Sequence, residues 1–130
     1  MDKLIIEATR SSPAIAFDAE TRRLRICGES YPENAAAFYT PVFAWLKEFI
    51  AALESGAAVQ VDLAILYLNS SSTKVMLNLL DLLEQAAQDG TQIVVNWHYD
   101  PENEAMLECG QDFSEELETL TFNLVEQTAL

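Results

Sequence analysis

The densest run of side chains able to do chemistry is Asn69-Ser70-Ser71-Ser72-Thr73-Lys74, four hydroxyls between an amide and an ammonium. It follows an apolar run, Val59 to Leu68, and precedes a helical pattern starting at Val75. A hydroxyl there lies beside backbone N–H groups that a first helical turn leaves unpaired, a setting that favours an anion. Two uses fit. A side-chain oxygen can cap the helix, or a hydroxyl can accept a phosphoryl group, gaining about -1.5 to -2 charges and three acceptor oxygens. Lys74 is close enough in sequence to pair with such a group. The helix dipole would contribute only ~0.3–1 kcal/mol, so the modification need not disturb the fold. An unmatched charge desolvated at a partner interface costs several kcal/mol. On residue chemistry alone, a cap is the simpler reading of Ser70 or Ser71.

Other reactive residues do not converge. The single histidine, His98, stands between Trp97 and Tyr99 at a strand end, and reads as a structural or surface residue. Ser70 lacks the glycines of a nucleophile elbow. Only four glycines occur, unclustered, so no phosphate-cradling loop is expected. Glu102, Glu104, Glu108 and Asp112 read as a solvated helix face. Cys27 and Cys109 form no C-x-x-C pair, which argues against a zinc or redox motif and for a reducing compartment. No cofactor, metal or catalytic residue is expected. A small enzyme with an acidic cleft would instead require several carboxylates gathered near His98.

The elements that position these residues come from a chain of 130 residues, half of them hydrophobic. One domain, 1–130, is the expectation. Seven basic against 21 acidic residues give a net charge of -14, which disfavours nucleic acid and anionic membranes and suits a protein partner with a basic surface. No signal-peptide pattern follows Met1, and no apolar stretch approaches the ~20 residues of a membrane helix. The expected compartment is the cytoplasm.

Leu4 to Ala8, Ala14 to Asp18 and Leu24 to Gly28 read as strands, the last two joined hairpin-fashion around Asp18-Ala19-Glu20-Thr21. Ser30-Tyr31-Pro32-Glu33-Asn34 opens the first long helix with Asn34 as N-cap. Phe38, Val42, Trp45, Phe49 and Leu53 make its expected buried stripe, Pro41 a kink or restart, and Gly56 its terminator. Val59 to Leu68 is a central strand with a second apolar face at Ala64, Leu66 and Leu68. The second helix carries Val75, Met76, Leu79, Leu82, Leu83 and Ala86 inward and stops at Asp89-Gly90. Gln92 to Trp97 is a strand. Asp100-Pro101-Glu102 starts a third, acidic helix, weakened by Gly110. Leu120 to Val125 closes the list as a strand. The order implies an α/β fold, a mixed β-sheet with parallel strands around the second helix and helices covering one or both faces.

Several of these segments occur together in a known order. Ser12-Pro13-Ala14, Glu29-Ser30-Tyr31-Pro32-Glu33-Asn34, Leu66-Tyr67-Leu68-Asn69-Ser70-Ser71-Ser72 with Lys74, Leu82-Leu83-Glu84, and Trp97-His98-Tyr99-Asp100 with Asn103-Glu104 resemble the SiaC family of bacterial regulatory phosphoproteins, over nearly the whole chain. The resemblance implies a STAS-like fold, similar to anti-sigma-factor antagonists, with a phosphorylated hydroxyl at the start of the helix after a central strand. It implies a partner-switching serine/threonine kinase of the anti-sigma type, an opposing PP2C-type phosphatase, and a diguanylate cyclase effector. The unphosphorylated form would activate that cyclase, raising cyclic-di-GMP and promoting biofilm.

By position the acceptor falls on Ser70, with Ser71 and then Ser72 as alternatives. The family usually has threonine there, and the wider STAS pattern has a glycine shortly after it; this chain has neither. Tyr31, Glu33, Asn34, Tyr67, Asn69, Ser71, Ser72 and Lys74 are the expected partner-binding residues. A constitutive scaffold without a switch is the main alternative, and the acidic-cleft enzyme a lesser one.

Overall fold

Apolar side chains recurring every second residue in the strand runs, and every third or fourth between them, produce a sheet with one covered face. The computed structural model describes residues 1–127; positions 128–130 of the expected domain span lie outside the described residues. Its elements are β1 (Leu4–Ile6), β2 (Ala14–Asp18), β3 (Arg23–Ser30), α1 (Ala35–Ala52), β4 (Ala58–Leu68), α2 (Ser70–Gln88), β5 (Gln92–Tyr99), α3 (Glu104–Glu116) and β6 (Thr121–Glu126). The six strands lie side by side in chain order. β1, β2 and β3 pair antiparallel, and β3 through β6 pair parallel.

Each parallel step moves in the same direction across the sheet through a helix. Right-handed crossovers therefore put all three helices on one face. Burial alternates accordingly: Val59, Val61 and Leu63 of β4 and Ile93, Val95 and Trp97 of β5 are sealed in the core, whereas Asp62 and Asn96 between them and His98 just beyond are not. Among the described residues only one side of the sheet is covered by helices, and the opposite face is open.

Several local expectations change. In α1 the buried set is Ala35, Tyr39, Val42, Leu46 and Phe49, one residue around from the bulkiest stripe. Tyr39 turns inward because its hydroxyl finds a buried partner in Ser30. Trp45 stays at the margin, donating its indole N–H to the Asp2 carbonyl at 2.8 Å and stacking on Phe49. Pro41 does not restart the helix. It sits on the exposed side of an unbroken α1. The helix ends at Ala52, and Gly56, with φ +79°, serves the turn beyond it.

α3 starts later than the Asp100-Pro101 signal implies. Asp100 makes a tight turn instead, its carboxylate accepting the Glu102 N–H and its carbonyl the Asn103 N–H. Asn103 is the cap: its Oδ1 accepts from Met106 N, and its Nδ2 donates to the Leu66 carbonyl at 3.0 Å. That bond to β4 fixes where the helix begins. Within α3, Gly110 is a packing requirement more than a weakness. A Cβ there would stand 2.5 Å from Trp97 Cδ1 and 2.9 Å from Leu124 Cδ2. This close approach lets the Trp97 indole donate to the Met106 carbonyl at 2.9 Å.

A further change is in β4. Gly28 pairs with Ile65 but Glu29 pairs with Tyr67, so Leu66 is an extra residue, a β-bulge. Alternation breaks there: Ile65 is buried, Leu66 and Tyr67 are 54% and 48% exposed, and Leu68 is buried again. The expected apolar second face at Leu66 and Leu68 is therefore split. Leu66 projects to solvent and Leu68 enters the core.

Candidate modification and docking site

Parallel strands bring their C-terminal ends, and hence the starts of α1 and α2, to one edge of the sheet. Asn69 sits at the junction in extended conformation and caps α2: its Oδ1 accepts the Ser72 N–H at 2.9 Å, and its carbonyl accepts the Thr73 N–H and hydroxyl. Its own N–H donates to the Ser30 carbonyl. With Asn69 as the cap, Ser70 needs no capping role. It occupies the first helical position with its side chain exposed.

The three consecutive serines separate sharply. Ser70 and Ser71 face solvent, whereas Ser72 is 0% exposed. Ser30 Oγ donates to Ser72 Oγ at 2.8 Å and lies 2.7 Å from the Tyr39 hydroxyl. Because the Ser30 proton is committed to Ser72, Tyr39 donates to Ser30. Burial pushes the Tyr39 phenol above its usual range, more than the Ser30 contact lowers it, so it stays protonated and able to donate. Ser72 thus drops out as an alternative acceptor and as a partner contact. Its hydroxyl is a structural link between β3, α1 and α2.

Beside Ser71 lie some of the other expected residues. Asn34 caps α1 by accepting the Ala37 N–H at 3.0 Å. Glu33, Asn34, Ser71 and Lys74 line one open groove of about 650 Å³ between the two helix starts. Tyr31 meets Tyr67 edge to face, with ring centroids 5.8 Å apart. Leu66, which sequence reasoning placed on the second apolar face of β4 with Ala64 and Leu68, joins this exposed edge. The bulge turns Tyr67 outward beside it, and one sequence carries no signal for a bulge in a parallel ladder. Ser30 and Tyr39 were likewise missed as a buried polar pair.

His98 lies on the open sheet face, its Nε2 2.9 Å from Asp62 Oδ1. Burial would raise the Asp62 carboxyl, but hydrogen bonds from His98, Gln60 and Asn96 outweigh it and hold the group below its ordinary value. Asp62 is the carboxylate that meets His98. Glu102, Glu104, Glu108 and Asp112 are all exposed, and no group of three or more His, Cys, Asp or Glu side chains among the described residues could hold a metal ion. The acidic cleft that an enzyme would need is not formed among the described residues. Burial, with the nearby Asp112 charge, pushes the Cys109 thiol up to about 11, so it is a poor nucleophile. No described helix is long and apolar enough to cross a membrane.

One further carboxylate is structural. Glu84 of α2 is buried and accepts the backbone N–H groups of Glu118, Thr119 and Leu120 at 2.9–3.3 Å. Burial raises its pKa, but those bonds lower it further, leaving it below the ordinary 4.5.

Comparison with known proteins agrees with this geometry. The structure superposes on SiaC of Pseudomonas aeruginosa with a TM-score of 0.89 and 37% identity, covering 98% of this chain and 100% of that one. It matches a chain in the crystal structure of the diguanylate cyclase SiaD in complex with its activator SiaC, from the same organism, with a TM-score of 0.88 and 39% identity, over 95% of this chain and 99% of that one. An uncharacterized protein of P. aeruginosa strain UCBPP-PA14 is 41% identical over 116 residues, 89% of this chain and 90% of the relative. The family model described as SiaC family regulatory phosphoprotein matches residues 6–127. The chain belongs to the SiaC family of regulatory phosphoproteins.

Proposed function

We propose that this chain is a phosphorylation-controlled activator of a diguanylate cyclase, acting in the cytoplasm by binding and not by catalysis. The unphosphorylated form docks on the cyclase and raises cyclic-di-GMP; phosphate on Ser70 blocks the contact. A serine/threonine kinase of the anti-sigma type adds the group and a PP2C-type phosphatase removes it. The observation that carries this reading is the position of Ser70, an exposed hydroxyl at the first position of α2, close in the chain to the exposed side chains of Leu66 and Tyr67. The 39% identity to a chain in the complex of SiaD with its activator SiaC supports the choice of effector.

A phosphate at Ser70 faces the N-terminal end of a helix, which tolerates it, so the fold is kept while the docking edge gains a dianion that a partner must desolvate. Coexpression with a cognate kinase, followed by intact mass and site mapping, tests the assignment: one phosphate on Ser70, none on Ser70→Ala. Ser70→Asp should weaken cyclase binding while Ser70→Ala retains it. Phosphate mapped to Ser71 or elsewhere would overturn the site.

A further inference from the structure

The groove between Asn34 and Lys74 does not end at the helix starts. A second cavity of about 540 Å³ continues it along α1 and α2, and the two share Ala36 and Val75 in their linings. Both helices connect parallel strands, so they run in the same direction and the trough follows their length. From Ala36 to Lys47 it extends about 16 Å at 1.5 Å per residue, the length of three turns of a third helix. Along the second cavity its lining sets Ala36, Phe43, Ala44 and Val75, all at least partly open to solvent, beside the polar Thr40 and Asn78.

The charge at its margins is unusual for this protein. Of the seven basic residues, only Lys47 and Lys74 follow Arg25 in a chain whose net charge is -14, and both line this trough. Both are exposed, and neither is ion-paired among the described residues. Glu33, at the mouth, is the one carboxylate in the lining. Apolar residues between two free ammonium groups fit a helix with an apolar face flanked by carboxylates, and the acidic remainder of the surface repels such a helix elsewhere.

We infer that the α1–α2 trough seats an acidic amphipathic helix of the effector, its apolar face on Phe43 and Val75 and its carboxylates on Lys47 and Lys74. This rests on the activator reading, and adds where the partner lies and what chemistry it presents. It also ties the switch to the trough, because Ser71 and Lys74 line its mouth and a phosphate at the start of α2 competes for Lys74.

The test uses the full chain and the P. aeruginosa cyclase SiaD, with binding measured by calorimetry. Ala44→Glu and Lys47→Glu alter exposed helix positions remote from Ser70, so both variants should fold, as checked by thermal melting. Each should weaken binding tenfold or more, while Arg23→Glu, exposed on β3, changes it less than twofold. Hydrogen exchange in the complex should slow across Ala36–Lys47. If SiaD binds and both trough variants bind like the parent without protection of α1, the trough assignment is wrong and the activator reading stands. If SiaD does not bind the parent chain at all, both fall together.

Discussion

The Ser30 hydroxyl donates to the Ser72 hydroxyl across 2.8 Å, joining the last residue of β3 to the first turn of α2 inside the core. The same Ser30 accepts the Asn69 N–H through its carbonyl. Two bonds from one residue therefore hold the platform on which Ser70 stands. This distinguishes three serines that are chemically identical in the sequence.

Ser72→Ala should cost about 1–3 kcal/mol, because it leaves a buried donor without its acceptor. Ser72→Asp, which buries an uncompensated charge, should cost about 3–5 kcal/mol. Ser70→Ala, at an exposed position, should stay within about 0.5 kcal/mol of the parent. Urea unfolding of the three variants checks the order; equal effects at the two positions would contradict it.

Glu84→Gln should destabilise the chain by about 1.5–3 kcal/mol, since hydrogen bonds to a charged acceptor are stronger than to a neutral one. The folded carboxyl lies below its ordinary 4.5. Its contribution is therefore complete above that value and is lost as pH falls through the lower folded value. Denaturation midpoints followed downward from pH 6 should fall less steeply in Glu84→Gln than in the parent.

Gly110→Ala improves helix propensity by about 1 kcal/mol, yet it should destabilise the protein by about 1–3 kcal/mol net. The new methyl would meet the Trp97 ring at 2.5 Å, and overpacking of that kind forces shifts in the core. A changed tryptophan emission together with a lower urea midpoint is the expected signature.

Tyr67→Ala should leave stability within about 1 kcal/mol, because the ring is 48% exposed. On the activator reading it should weaken cyclase binding by about tenfold or more, as loss of an aromatic anchor does. Calorimetric titration against the cyclase separates the two effects.

Much of the fold was readable from periodicity. Strand β2 and the stop of α2 at Asp89-Gly90 appear as the sequence implies, because local turn chemistry and burial agree there. The misses share a cause, which is contact between residues distant in the chain. Asn103 prevails over Asp100 as the cap of α3 because it also reaches the Leu66 carbonyl. Gly110 looks like a weak helix residue until Trp97 is placed beside it. Tyr39 prevails over Phe38 at the core of α1 because Ser30 waits for its hydroxyl. At the site, the run Asn69 to Lys74 was visible as a helix start, but which serine faces outward depends on the angular position of each around α2.

An ordinary strand throws neighbouring side chains to opposite sides, so it cannot show two in succession. The spare residue in β4 removes that restriction, and Leu66 and Tyr67 stand exposed next to each other. The insertion is also neutral in phase: beyond it Leu68 points inward, as it would in a regular ladder one residue shorter. Excising Leu66 should leave Tyr67 outside, Leu68 inside and the serines after Asn69 undisplaced, while removing the carbonyl to which Asn103 is moored. The sheet can thus widen its exposed edge by one side chain without re-aiming the hydroxyl behind it.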